Sequence, residues 1–337
     1  DSIYQQSKYK VGRSTSPHLL KYNERYAVDG EDASDDVIIE AFEIIEGKRE
    51  DIKLTYFEFS TLAAFIIFEK AEVDIAILEV GLGGRLDSVN VVDSDVSIIT
   101  NIAIDHTDYL GDTREAIGRE KAGVMRGSRP CICGDQDPPQ SLLAYAKEIG
   151  TDITFVRKAY EDDIGLEGDH QRLNAAVAIQ AVESLKGQHP ISLKMIIEGV
   201  KSATIKARFE KIEIGEKTII LDVAHNPAAV KTLVDTLSKS SMQTVAIFSA
   251  LIDKDIIEMV DLASNAIKHW YLVPLTAERA IESDALKNKF SNPESTTICQ
   301  DMNSAIQESL AYKEAERIVI FGSFYTIADA SIIINEL

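Results

Sequence analysis

The chain has 337 residues, with 35 Lys and Arg against 55 Asp and Glu, for a formal charge of −20. That length accommodates two globular domains, and the charge excludes broad attraction to nucleic acid or membrane surfaces, both of which are anionic. No apolar run approaches the roughly 18 residues of a membrane span, no secretory signal is visible, and the cytosol is the expected compartment.

The chain opens on DSIYQQSK without an initiator Met. This stretch reads as the tail of a helix already under way, so a preceding segment is expected. From there, short apolar strands alternate with amphipathic helices, the pattern of an α/β architecture with mostly parallel sheets. Strands are predicted at 73–80, 96–101 and 130–133, and helices at 61–69, 113–125 and 174–185. Asp112 and Glu115 form a D-x-x-E capping box for the helix at Thr113. Cys131 and Cys133, one residue apart on a strand, read as reduced core thiols rather than a metal or disulfide pair.

The stretch ILEVGLGGRLDSVN (77–90) ends a predicted strand with Glu79 and then a glycine cluster. It is not a dinucleotide loop: a G-x-G-x-x-G frame started at Gly81 finds Leu86 at its third glycine, and no helix opens after it. A dehydrogenase is therefore disfavoured. What remains is a carboxylate at a strand end and a loop whose glycines let a ligand approach the backbone. One strand later, TNIAIDHTDYLGD (100–112) puts Asp105, His106 and Asp108 at a second strand end. If the two strands are parallel neighbours, Glu79 and His106 meet as a pair suited to a divalent metal that also contacts phosphates. Taken alone, such a pair is more often a structural hydrogen bond.

A polar segment at 202–208 is the candidate hinge. Beyond it, strands are predicted at 218–223, 244–248, 270–273 and 318–321, with helices near 227–238, 256–267 and 302–312. Two strand-to-helix turns share one design. In IILDVAHNPAAVKTL (219–233), Asn226 is placed to cap the helix and Pro227 to occupy its first position. IVIFGSFYTIADA (318–330) turns through Gly322 and Ser323. Such turns lie at the carboxyl ends of parallel strands, where open α/β sheets bind anionic ligands. Asp222, His225 and Asn226 thus converge on one strand end.

These strings together resemble the folylpolyglutamate synthase/dihydrofolate synthase family of the Mur-ligase superfamily. The likeness rests on STSPHLLKYNERYAVDG (14–30), LTYFEFSTLAAF (54–65), the run from Ile77 to Met125, ARFE (207–210), DVAHNP (222–227), SALIDKD (249–255) and GSFYT (322–326). LTYFEF with GGRLDSVN most resembles the bifunctional bacterial form. The resemblance implies a P-loop-type ATPase domain with a mostly parallel sheet over residues 1–204, then a smaller Rossmann-like glutamate-ligase domain over 205–337. Two departures stand out. The family's glycine-rich phosphate loop lies upstream of where this chain begins, and the stretch between Val156 and Asn174 is shorter than expected.

The resemblance also implies the chemistry and its residues. ATP phosphorylates a carboxylate of a pterin substrate, L-glutamate attacks the acyl phosphate, and an amide forms. Glu79 and His106 match magnesium positions, two Mg²⁺ sites are expected, and Lys121 matches a lysine carried as a carbamate that supplies oxygens to the second metal. Phe57, Leu86, Asp87 and Ser88 match the pterin-binding segments. His170, Gln171 and Asn174 match the region near adenine, with Asn174 best suited to the base. Arg208 and Asp222 match ATP contacts, while His225 and Ser323 match the glutamate side. Lys121, Arg208 and His225 are thereby the catalytic candidates. A monovalent ion such as K⁺, a monomeric state, and small-molecule partners (dihydropteroate, reduced folates, L-glutamate and ATP) are further expectations. A ligase relic that binds pterin without ATP turnover and a cell-wall Mur ligase are the alternatives.

Overall fold

In the computed structural model, which describes residues 1–336, the alternation of strands and helices resolves into two units. One comprises Asp1–Gly165 with Gln171–Ala203, and the other Leu166–His170 with the residues from Thr204 onward. The fold is the α/β type expected, with mostly parallel sheets.

The first unit holds two sheets. Strands β1 (Val11–Ser14), β2 (Tyr26–Val28), β3 (Glu31–Asp32) and β4 (Ile75–Leu78) form one, in the order β3-β2-β1-β4. β1 runs antiparallel to β2 but parallel to β4, with Val11 opposite Ile75 and Ser14 opposite Leu78. Tyr26, Ile38, Ile45, Ala63, Ile67 and Phe68 form the core beneath it. The helix Tyr56–Lys70 begins five residues before the predicted start. Thr55 accepts the Glu58 N–H while Glu58 accepts the Thr55 N–H at 2.7 Å, a reciprocal capping box that sets the start upstream of the apolar periodicity.

Strands β5 (Ser97–Ile99), β6 (Cys131–Cys133) and β7 (Ile153–Phe155) form the second sheet, all parallel. The predicted adjacency of the strands before Glu79 and His106 is therefore not met. β4 pairs with β1, and β5 with β6, because ladder hydrogen bonds rather than chain order choose the partner. Cys131 and Cys133 are free and buried, and burial pushes the Cys131 thiol up to about 11.

The capping of the helix Arg114–Ala122 also differs from expectation. Thr113, not Asp112, is its N-cap and accepts the Ala116 N–H at 3.2 Å. Glu115 instead accepts the N–H groups of Gln140 and Ser141 at 3.0 and 2.7 Å. It thereby caps the helix Gln140–Ile149, whose own N-cap residue, Pro139, has no side-chain acceptor.

The second unit is one six-stranded sheet of β8 (Glu210–Ile214), β9 (Lys217–Leu221), β10 (Thr244–Phe248), β11 (Trp270–Leu272), β12 (Thr296–Ile298) and β13 (Arg317–Phe321). Its order is β12-β11-β10-β13-β9-β8, parallel except for the β8–β9 hairpin. Phe248, Trp270, Phe290 and Phe321 pack at ring separations of 4.9 to 6.5 Å in its core. Both anticipated turns form. Asn226 accepts the Ala229 N–H with Pro227 at the first helical position, and Ser323 accepts the Thr326 N–H at 3.0 Å.

Gly322 joins β13 to its helix at φ +118°, and a Cβ there would meet the Ser249 carbonyl oxygen at 1.9 Å. Gly322→Ala should lower unfolding free energy by about 2–4 kcal/mol. Urea denaturation measures this, and an unchanged midpoint would show that the turn tolerates a side chain.

Candidate active site

In the first unit, the ends of the parallel strands β1 and β4 place Glu79. Beyond β4, the Glu79 N–H still bonds the Ser14 carbonyl at 2.9 Å, and Glu79 Oε2 accepts the Ser16 N–H at 2.7 Å. Its carboxylate is thus held against the loop that follows β1. His106, exposed, N-caps the short helix Thr107–Leu110 at φ +51°, and its N–H bonds Asp105 Oδ1 at 2.8 Å. Among the described residues no three His, Cys, Asp or Glu side chains converge as a ready-made cage. A carboxylate and an imidazole are both donor types that divalent ions accept.

Lys121 is half-buried on the helix Arg114–Ala122. Burial lowers its pKa, and the charge of Asp105 acts in the opposite sense. A depressed pKa enlarges the neutral-amine fraction. The glycine loop grips this helix end: the Arg85 N–H bonds the Glu120 carbonyl at 2.8 Å, and the Arg85 guanidinium pairs with the Glu120 carboxylate at 3.0 Å.

The expected pterin-binding residues have mixed surroundings. Phe57 lies over Gly81, where a Cβ would come within 2.5 Å of its ring, so the glycine admits the aromatic ring of this chain itself. Leu86 is exposed at 79%. Asp87 caps the 3₁₀ turn Ser88–Val91, its two oxygens accepting the N–H groups of Leu82 and Val89 at 2.9 and 3.0 Å. Ser88 Oγ bonds Thr61 Oγ1 at 2.6 Å. Asp87 and Ser88 therefore shape the loop with the same atoms that were expected to meet the substrate. Asn174 donates to Gln171 Oε1 at 3.1 Å.

In the second unit, Arg208 is exposed between Ala207 at φ +57° and Phe209 at φ +52°. Two left-handed non-glycine residues on either side of one position are unusual, and the contacts around them account for both. Asp222 accepts the N–H of Phe209 at 2.9 Å and of Ala224 at 2.8 Å. The Val223 N–H bonds the Ala207 carbonyl at 2.9 Å, and the Ala207 N–H bonds Glu210 at 2.7 Å. Burial raises the Asp222 pKa, against the pull of those N–H groups and of Arg208. Burial and the Arg208 charge lower the pKa of His170.

His225 Nδ1 donates to the Val223 carbonyl at 2.9 Å, which selects the Nδ1–H tautomer. Its ring lies 6.0 Å from that of Phe324. Ser323 is buried, with its hydroxyl bonded to Thr326. Sequence reasoning passed over Arg25, a buried cation beside Glu79 in one small recess. The signal available was a lone arginine inside the 14–30 string.

Residues 36–149 match the Mur ligase middle domain and residues 207–324 the Mur ligase glutamate ligase domain. The dihydrofolate synthase/folylpolyglutamate synthase of Escherichia coli is 34% identical, over 99% of this chain and 82% of that protein. The protein of the same description from Buchnera aphidicola is 36% identical, over 96% and 82%. The structure of E. coli FolC in complex with DHPP and ADP superposes at a TM-score of 0.92 with 33% identity, over 99% of this chain and 84% of that one. A Yersinia pestis bifunctional folylpolyglutamate synthase/dihydrofolate synthase complexed with AMPPNP and Mn superposes at 0.91 with 35% identity, over 99% and 84%.

Asp222→Asn turns one of the two accepting oxygens into an amide donor, so either the Phe209 or the Ala224 N–H loses its partner and faces another donor. The expected cost is about 1–3 kcal/mol of stability, read by chemical denaturation. Wild-type stability in that variant would mean the turn around Arg208 is held by other contacts.

Proposed function

This chain belongs to the dihydrofolate synthase/folylpolyglutamate synthase family of Mur ligases, and from that membership we infer its reaction and the duties of its residues. It is an ATP-dependent ligase that joins glutamate to folates. The observation that carries this reading is the match over 99% of the chain, with both Mur-ligase domains in order.

The finer assignments are proposals. The chain acts on dihydropteroate and on reduced folates, through an acyl phosphate made at the substrate carboxylate. Glu79 and His106 hold Mg²⁺, which when bound offsets the charge of the transferring phosphoryl group. Phe57 and the 86–88 loop seat the pterin, with Leu86 offering apolar surface and Asp87 and Ser88 maintaining the loop's shape. Asn174 reads adenine. Arg208 takes a nucleotide phosphate, with Asp222 supporting it. His225 and Ser323 serve the glutamate amine acceptor site. A monovalent ion such as K⁺ assists, and the protein works as a monomer in the cytoplasm. Among the described residues no helix is long and apolar enough to cross a membrane.

Lys121 is carbamylated. Its neutral amine adds to CO₂ and releases a proton, so a cation becomes an anion with two oxygens for a second metal. The burial that lowers its pKa favours the amine needed for that addition, and acidification works against it. Lys121→Ala should reduce turnover by about 100-fold or more, the size associated with losing one group that stabilises a transition state, and added acetate should restore part of it. Undiminished turnover would remove Lys121 from the mechanism.

The reaction itself is tested by phosphate release from ATP, Mg²⁺ and glutamate with dihydropteroate or a reduced folate supplied separately. Both should stimulate release. Stimulation by the folate alone would strike out the dual assignment.

A further inference from the structure

Arg25 ends the 3₁₀ turn Tyr22–Arg25 and is only 7% exposed. Its guanidinium carbon lies 5.5 Å from the centre of the Tyr22 ring and 5.3 Å from that of Tyr56. Nε donates to His18 Nδ1 at 2.9 Å. Burial and the neighbouring guanidinium lower the His18 pKa, which keeps the imidazole neutral and Nδ1 an acceptor.

Among the described residues, neither terminal nitrogen of Arg25 has a hydrogen-bond or ion-pair partner. Glu79 lines the same recess but makes no ion pair with Arg25 within 4.0 Å, and two ring faces with one imidazole offset only part of the cost of burying the cation. The side chain lines a recess with room for about one water, shared with Ser16, Phe57, Thr61 and Glu79. It is a charged wall of a chamber at the carboxyl ends of β1 and β4.

We propose that Arg25 binds the substrate carboxylate that the ligase activates, one carboxylate oxygen entering the recess and accepting the guanidinium N–H groups. This rests on the folate-ligase reading. The recess admits a single oxygen rather than a whole phosphate, and the planar guanidinium fork matches a carboxylate. Phe57 on the same wall suits an acid borne on an aromatic ring. Arg25 thereby sets specificity for an acid over its neutral analogues.

Equilibrium binding of dihydropteroate and of its carboxamide to the full chain, without ATP, tests this. The acid should bind about ten- to a hundredfold more tightly, the range of a charge-assisted hydrogen-bond pair. In Arg25→Gln that preference should fall below about twofold with carboxamide affinity unchanged. Arg25→Lys, which keeps the charge without the fork, should show an intermediate preference and serves if the Gln variant does not fold by circular dichroism. A wild-type acid preference in the folded variants overturns the assignment. Equal loss of acid and amide binding does the same, since it marks Arg25 as structural. Weakened ADP binding with the acid preference intact would assign Arg25 to phosphate instead. Failure of the wild-type chain to bind either pterin would overturn the folate reading itself, a different outcome from any of these.

Discussion

Four residues of parallel pairing, Val11–Ser14 against Ile75–Leu78, bring two loops into register, and the placement of Glu79 and of the Arg25 recess depends on it. The ladder does not stop where the strands do. The Ser14 carbonyl receives the Glu79 N–H, and the Glu79 carboxylate receives the Ser16 N–H in return. A slip of one residue would turn every side chain of β4 to the opposite face and carry Glu79 away from Ser16. The loop after β1 also places His18 against Arg25, so the recess and the carboxylate beside it share one origin.

Carboxylates fastening backbone N–H groups recur through the molecule. Asp87 closes the glycine loop, Asp222 closes the turn around Arg208, and Glu115 caps a neighbouring helix. Asp135 accepts the Ile102 N–H at 2.6 Å while pairing with Arg114. In a chain of charge −20, these carboxylates are spent on the chain's own backbone. Much of the negative charge at these loops is met by N–H dipoles within the chain itself. Burial adjusts charged groups further, lowering the Lys121 pKa and raising that of Asp222.

Helices with strong local signals are legible in the amino-acid sequence, and so are β9, β10, β11 and β13, the inner strands of the six-stranded sheet. β10 spans the residues expected, and Asn226, Pro227 and Ser323 cap as their residue types dictate. The two edge strands of that sheet escape a sequence reading. β8 has only two apolar residues in EKIEI, and β12 has only one in TTI. β1 to β3 escape it because they are short and partly polar. The capping box at Thr55 is equally local but lies ahead of the apolar run by which the helix is recognised.

By itself, then, the sequence determined the α/β alternation, the helix caps and the identity of the chemical groups, because each depends on neighbours within a few positions. Only the tertiary structure decided which strands pair, that Asp87 and Asp222 hold backbone rather than standing open, and that Arg25 is buried beside the recess with its terminal nitrogens unbonded. Those outcomes turn on hydrogen bonds and desolvation between residues far apart in the chain, and local periodicity carries no record of them.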